Sequence, residues 1–182
     1  MNTNPTGAES ALRESVFRAM FEQNFVRVVR YVQRQVADRA TAEDIAADVF
    51  RIAWEKLEPA DPFGVPWLIR TAMHRTRDHQ RRQYRGTAAL TAIARRIDEQ
   101  PAELEHLDRF ALYAALQKLS PKDQEIVQLT YWDGLSAGEV ASVLRMRQGA
   151  VWTRLHRARA HLRTSLDDSM AEGVNGERRR TR

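Results

Sequence analysis

The chain has 182 residues, a formal net charge of +5 and a pI near 10.1, so one or two small domains and a polyanionic partner are expected. It contains no cysteine, which excludes disulfides, thiolate zinc sites and a cysteine nucleophile together. Apolar residues recur mostly at spacings of three and four, with only eight Gly and six Pro among them, and this pattern predicts an all-α protein of two small helical domains.

Residues 1–10 are polar and read as disordered. They lack the apolar core of a signal peptide, and no run approaches the length of a bilayer span, so a cytoplasmic protein without membrane insertion is expected. Phe17, Phe21, Phe25, Val28, Val29, Val32 and Val36 then mark one or two amphipathic helices that supply core. Thr41 is expected to cap the next helix, which runs to about Leu57 with Ile45, Val49, Ala53 and Leu57 facing inward; Pro59 and Pro62 end it. A third helix is predicted from near Pro66 through Arg85, where Gly86 stops it. These elements make a first domain over residues 11–85.

Residues 86–106 are small and polar, with Asp98, Glu99, Glu103 and Glu105 against two Arg, and read as a mildly acidic linker. A second helical domain follows over residues 107–168. Leu112, Leu116 and Leu119 lead to Ser120-Pro121, which opens a helix over residues 122–132. Ser136 and Glu139 form a capping box that starts a short helix with Val140, Val143 and Leu144 as its apolar stripe. After a brief break, a last helix turns Val151, Leu155, Ala158 and Leu162 inward and Gly149, Thr153, His156, Arg157 and Ala160 outward. Residues 169–182, with Gly173, Gly176 and Arg178-Arg179-Arg180, read as a basic disordered tail.

The last two helices of the second domain read as a helix-turn-helix, whose second member enters a major groove. Residues 145–163 hold six Arg and no Asp or Glu, so phosphate is their natural counterion. A solvated basic helix in a bundle is the plain alternative; the capping box, short turn and apolar register favour the DNA reading. Thr153, His156 and Arg157 are then placed to meet base edges, and Arg154, Arg159 and Arg163 to hold phosphates on the flanks. Gln148 opens this helix. Trp152, on a flank, packs on sugar or covers the domain edge.

In the third helix, Trp67, Arg70, His74, Arg77 and Arg81 follow steps of three and four, giving one face an aromatic and basic stripe opposite Leu68 and Ala72. Such a stripe suits single-stranded or opened DNA; a solvated helix with Trp67 in the core is the alternative. The second helix is acidic, with Asp44 and Asp48 one turn apart, and fits either a basic partner protein or a dipole-favoured first turn. His74 with His79, and His156 with His161, stand five apart, which does not align two imidazoles, so no catalytic residue, metal site or cofactor is expected.

Ala42-Glu43-Asp44-Ile45-Ala46-Ala47-Asp48-Val49-Phe50-Arg51-Ile52-Ala53-Trp54, Pro66-Trp67-Leu68-Ile69-Arg70-Thr71-Ala72, Asp78-His79 and Arg81-Arg82 resemble region 2 of extracytoplasmic-function (ECF) sigma factors of the sigma-70 family. Leu119-Ser120-Pro121, Gln124-Glu125, Tyr131, Gly134-Leu135-Ser136, Glu139-Val140-Ala141 and Arg154-Leu155-His156-Arg157-Ala158-Arg159 resemble region 4. The resemblance implies an alternative sigma factor, not an enzyme. Region 2 would bind the beta-prime subunit of core RNA polymerase, with Asp44, Asp48 and Arg51 as contacts, and open the minus-ten element of promoter DNA. Region 4 would bind the beta subunit and the minus-thirty-five element. The family is often held inactive by an anti-sigma factor, which is a further expected partner. The chain departs from the family pattern at Ala47, where Gln is common, at His74, at Trp152, and at Arg145 and Arg147, where a Gly and a capping Ser are common; the last two predict a strained turn with a missing cap. A stand-alone helix-turn-helix regulator and a sigma-like adaptor without promoter opening are the rival readings.

Overall fold

The spacing of the apolar side chains forms seven α-helices among the residues the structure describes, 7–83 and 106–180 of a computed structural model. They are α1 (Gly7–Gln33), α2 (Arg39–Lys56), α3 (Val65–Gln83), α4 (His106–Gln117), α5 (Pro121–Tyr131), α6 (Ala137–Leu144) and α7 (Gln148–Arg180). Chain contacts divide them into two units, α1 to α3 and α4 to α7. The linker expected over residues 86–106 and the stop at Gly86 fall outside the described residues, except for His106, which begins α4.

In the first unit, each helix turns one stripe inward: Val28 and Val32 from α1, Val49, Phe50 and Ala53 from α2, and Leu68, Ile69 and Ala72 from α3 are all buried. The i, i+4 series Phe17, Phe21 and Phe25 closes on α2. Phe21 meets Phe50 edge-on at 5.0 Å between centroids and Phe17 meets Trp54 likewise at 5.0 Å, an arrangement that adds about 0.5–1.5 kcal/mol per pair beyond the area buried. The start of α2 differs from the expected cap. Asp38 is the N-cap: its carboxylate accepts from the Thr41 backbone N–H at 2.8 Å and from the Thr41 hydroxyl at 2.7 Å. A carboxylate three residues upstream satisfies an orphan amide that the Thr41 side chain could not, so the helix begins earlier and Thr41 lies in its first turn. At the other end Leu57 leaves helical geometry with ψ 123° and is buried, with Pro59 two residues on.

In the second unit, α4, α5 and α6 all pack on α7. Ser120 caps α5, accepting from the Asp123 amide, with Pro121 at the first helical position, where its missing N–H costs nothing. The capping box of α6 is formed in both directions: the Glu139 amide donates to Ser136 Oγ at 3.3 Å and the Ser136 amide to the Glu139 carboxylate at 2.8 Å. Arg145 ends α6 at φ 52°, ψ 49°, in the left-handed region, and the Met146 amide donates to the Ala141 carbonyl at 2.9 Å. Three residues, Arg145, Met146 and Arg147, thus separate α6 from α7. Val151, Leu155 and Ala158 of α7 are buried, as are Val140 and Val143 of α6 and Ile126 and Leu129 of α5, while Leu162 is half-buried.

The backbone of α7 runs on to Arg180, through residues expected to be a disordered tail. Between Gln148 and Arg180 there is no Pro, and Gly173 and Gly176 are single glycines separated by Val174 and Asn175, each of which lowers helix propensity without ending a helix already started.

Candidate nucleic-acid and polymerase interfaces

The inward register of α7 fixes what it presents outward. Gly149, Trp152, Thr153, His156, Arg157, Ala160 and Arg163 are exposed, as is Gln148 at its start. The middle of that face carries short side chains, Gly149, Thr153 and Ala160, with His156 among them, and Arg157 stands to one side. The Thr153 hydroxyl donates to the Gly149 carbonyl at 3.0 Å, which leaves its oxygen as an acceptor and its methyl outward. A short-chained centre lets a helix approach base edges closely, and a guanidinium at its border can reach two acceptors on a guanine.

Two of the expected phosphate contacts are engaged within the unit. Arg154 is half-buried and its Nη1 meets the Asp123 carboxylate at 2.9 Å, which ties α7 to the start of α5. Partial burial pushes the Asp123 carboxyl up, but the Ser120 hydroxyl, Arg154 and the nearby charge of Arg157 outweigh it and hold the group below the usual carboxylate range. Arg159 donates from Nε to the Tyr131 hydroxyl at 2.5 Å. Arg163 remains on the exposed flank.

In the first unit, Leu68, Ile69, Ala72, Met73 and Thr76 form the buried side of α3, which turns Trp67, Arg70, His74, Arg77 and Arg81 to the other side. His74, Arg77 and Arg81 are exposed; Arg70 and Trp67 are half-buried. Trp67 is neither core nor a bare platform. One face of its indole is covered by Phe63 from the α2–α3 loop, stacked at 3.9 Å and 15°.

The acidic pair of α2 is split by its surroundings. Asp44 is exposed. Asp48 is gripped from two sides: Arg51 of its own helix lies at 2.6 Å and also bonds Glu55, and Arg75 of α3 forms an ion pair with the other carboxylate oxygen. Burial raises the Asp48 pKa, and the hydrogen bonds and charges of Arg51 and Arg75 more than reverse it, holding the carboxyl below its ordinary value. Asp44 is therefore the available anion of the pair, and Arg51 is committed to its acidic neighbours. The ties of Arg75 to Asp48, Arg154 to Asp123 and Arg159 to Tyr131 bridge 27, 31 and 28 residues, and no local spacing announces them.

Among the described residues no group of three His, Cys, Asp or Glu is placed to hold a metal ion, and no helix is long and apolar enough to cross a membrane.

A capped helix-turn-helix with a basic outward face, on the same chain as a basic-aromatic helix beside an acidic one, defines a DNA-binding transcription protein. Comparison with known proteins gives the family. Residues 20–86 match the model of sigma-70 region 2 and residues 109–162 that of sigma-70 region 4. The chain is 31% identical to the ECF RNA polymerase sigma factor BldN of Streptomyces coelicolor over 84% of its own length, and spans 61% of the length of BldN. It is 30% identical to the RNA polymerase sigma factor CarQ of Myxococcus xanthus, covering 85% of this chain and 91% of CarQ. A solved structure of CnrH in complex with the cytosolic domain of CnrY superposes with a TM-score of 0.58 at 26% identity, over 88% of this chain and 98% of that one. The chain belongs to the sigma-70 family of RNA polymerase sigma factors, in its ECF branch, a family of regulatory DNA-binding proteins.

Proposed function

We propose that this cytoplasmic chain is an alternative sigma factor that binds core RNA polymerase through residues 11–85, opens the minus-ten element with α3, and reads the minus-thirty-five element with α7 in the unit over residues 107–168. It carries out no catalysis itself; polymerase does the chemistry. The observation that carries this reading is the outward face of α7, where Thr153, His156 and Arg157 stand exposed opposite Val151, Leu155 and Ala158 in the core. Thr153, His156 and Arg157 meet base edges, and Gln148, Trp152, Arg159 and Arg163 border them along the DNA backbone. Arg70, His74, Arg77 and Arg81, with half-buried Trp67, track the opened strand, and Asp44 leads the contact with polymerase. CnrH is recorded with the cytosolic domain of CnrY bound, and a regulatory protein partner of the anti-sigma kind is proposed here also.

In vitro transcription with purified core polymerase on promoters mapped after overexpression tests the whole reading. Start-site-specific transcripts are expected, and permanganate reactivity at the minus-ten region should be lost in the Arg77→Ala, Arg81→Ala double variant. Specific duplex binding without polymerase and with no transcripts would make the chain a stand-alone regulator. Core binding without strand opening would make it an adaptor.

A further inference from the structure

Tyr131 is a large aromatic residue left 54% exposed at the last position of α5, where it serves no core. Its hydroxyl accepts the Arg159 Nε hydrogen bond at 2.5 Å, and the guanidinium carbon lies 5.6 Å from its ring centroid. With Nε held, both terminal nitrogens of Arg159 keep their four N–H donors for another acceptor, in the fork that matches a phosphate. Arg159 lies seven residues after Trp152, two turns along one line of α7, and Trp152 is itself 56% exposed. That flank thus presents two aromatics and a guanidinium outside the base-facing centre. A free arginine gives up rotamer freedom when it captures a phosphate, and one already held in place gives up less.

We propose that Tyr131 is a positioning residue: it holds Arg159 poised for a DNA phosphate on the Trp152 flank, so that α5 as well as α7 sets the affinity of the second unit for duplex. This rests on the assignment of α7 as a DNA-reading helix. Tyr131 touches Arg159 and not the nucleic acid.

The test uses the full chain assembled with core polymerase and a fluorescent duplex selected by that holoenzyme from a randomised library, titrated over a salt series. Arg159→Ala should weaken binding about tenfold, as loss of a charge-assisted hydrogen bond does, and lower the salt slope by about 0.9. Tyr131→Phe, which removes one oxygen and keeps the ring, should weaken binding about threefold. In the Arg159→Ala background it should have no further effect, because a positioning residue acts only through the group it positions. Additive losses in the double variant would show that Tyr131 contacts DNA or supports the fold independently, and would overturn the proposal. A neutral Tyr131→Phe, or a neutral Arg159→Ala beside an impaired Arg157→Ala, would overturn it while leaving the DNA-reading assignment intact. If the parent holoenzyme selects no duplex, the assignment falls and the proposal with it.

Discussion

Replacing Arg145 with Gly should stabilise the second unit. Arg145 is exposed and ends α6 with φ 52°, a conformation in which its Cβ crowds the following carbonyl. That crowding costs an L-residue roughly 1–2 kcal/mol. Glycine avoids it but loses more backbone freedom on folding, about 0.5–1 kcal/mol. The balance favours Arg145→Gly by about 0.5–1 kcal/mol, or roughly 3–6 °C in the melting temperature of a unit this size. Tryptophan fluorescence would mix the units, since Trp54 and Trp67 lie in one and Trp132 and Trp152 in the other. Hydrogen exchange on the full chain separates them: amides of α6 and the buried part of α7 should gain about two- to fivefold in protection, with those of α1 to α3 unchanged. Arg145→Ala keeps the backbone cost and loses the side chain, so it should be close to neutral. Equal gains from Ala and Gly, or no gain from Gly, would refute the attribution to the left-handed backbone.

Three further outcomes are expected. Arg147 stands at the N-cap of α7, where its carbonyl accepts from the Ala150 and Val151 amides but its side chain has no oxygen to offer the first turn, so Arg147→Ser should add about 1 kcal/mol, read in the same exchange experiment. The folded pKa values of Asp48 and Asp123 are both depressed, so each contributes stability that is fully present above the unfolded carboxylate value of about 4 and is lost as pH falls through the lower folded value. The Asp48→Asn, Asp123→Asn double variant should therefore show a flatter loss of stability in acid unfolding titrations than the parent. Asp44→Ala should weaken competition for core polymerase without changing thermal stability, because its carboxylate is exposed, whereas Asp48→Ala should lower both by cutting α2 from α3.

The periodic and capped parts of this architecture are legible in the sequence. Helix faces follow the three-four spacing: Ile45, Val49, Ala53 and Leu57 are buried as that spacing predicts, and so are Val151, Leu155 and Ala158. Ser136 with Glu139, and Ser120 with Pro121, are local signals whose geometry is complete within four residues, and both form as read. At Asp38 the local reading chose the wrong cap, because Asp38 and Thr41 are both good caps and only the chain path decides between them. The side-chain roles were less legible. Arg154 and Arg159 have the composition and spacing of phosphate contacts, yet in the free protein each has a partner on α5. Asp48 has the spacing of a docking anion, yet α3 supplies a cation that no helical wheel of α2 can show. Fold follows from patterns within elements, whereas the availability of a charged group depends on its neighbours in space.

The grip of Arg75 on Asp48 joins the helix proposed to face polymerase to the helix proposed to face the opened strand. One carboxylate then serves two masters. If the proposed docking brings a polymerase cation to Asp48, it competes with Arg75 for the carboxylate, and a phosphate that drew Arg75 away would leave Asp48 to Arg51 alone and more attractive to that cation. Affinities coupled in this way must change by the same factor in both directions. Core affinity measured with and without a single-stranded minus-ten oligonucleotide should show that coupling in the parent and lose it in Asp48→Asn. Under the proposed function, the Asp48–Arg75 pair keeps one basic side chain of α3 neutralised in the free protein, which lowers its attraction for nucleic acid until docking competes for Asp48.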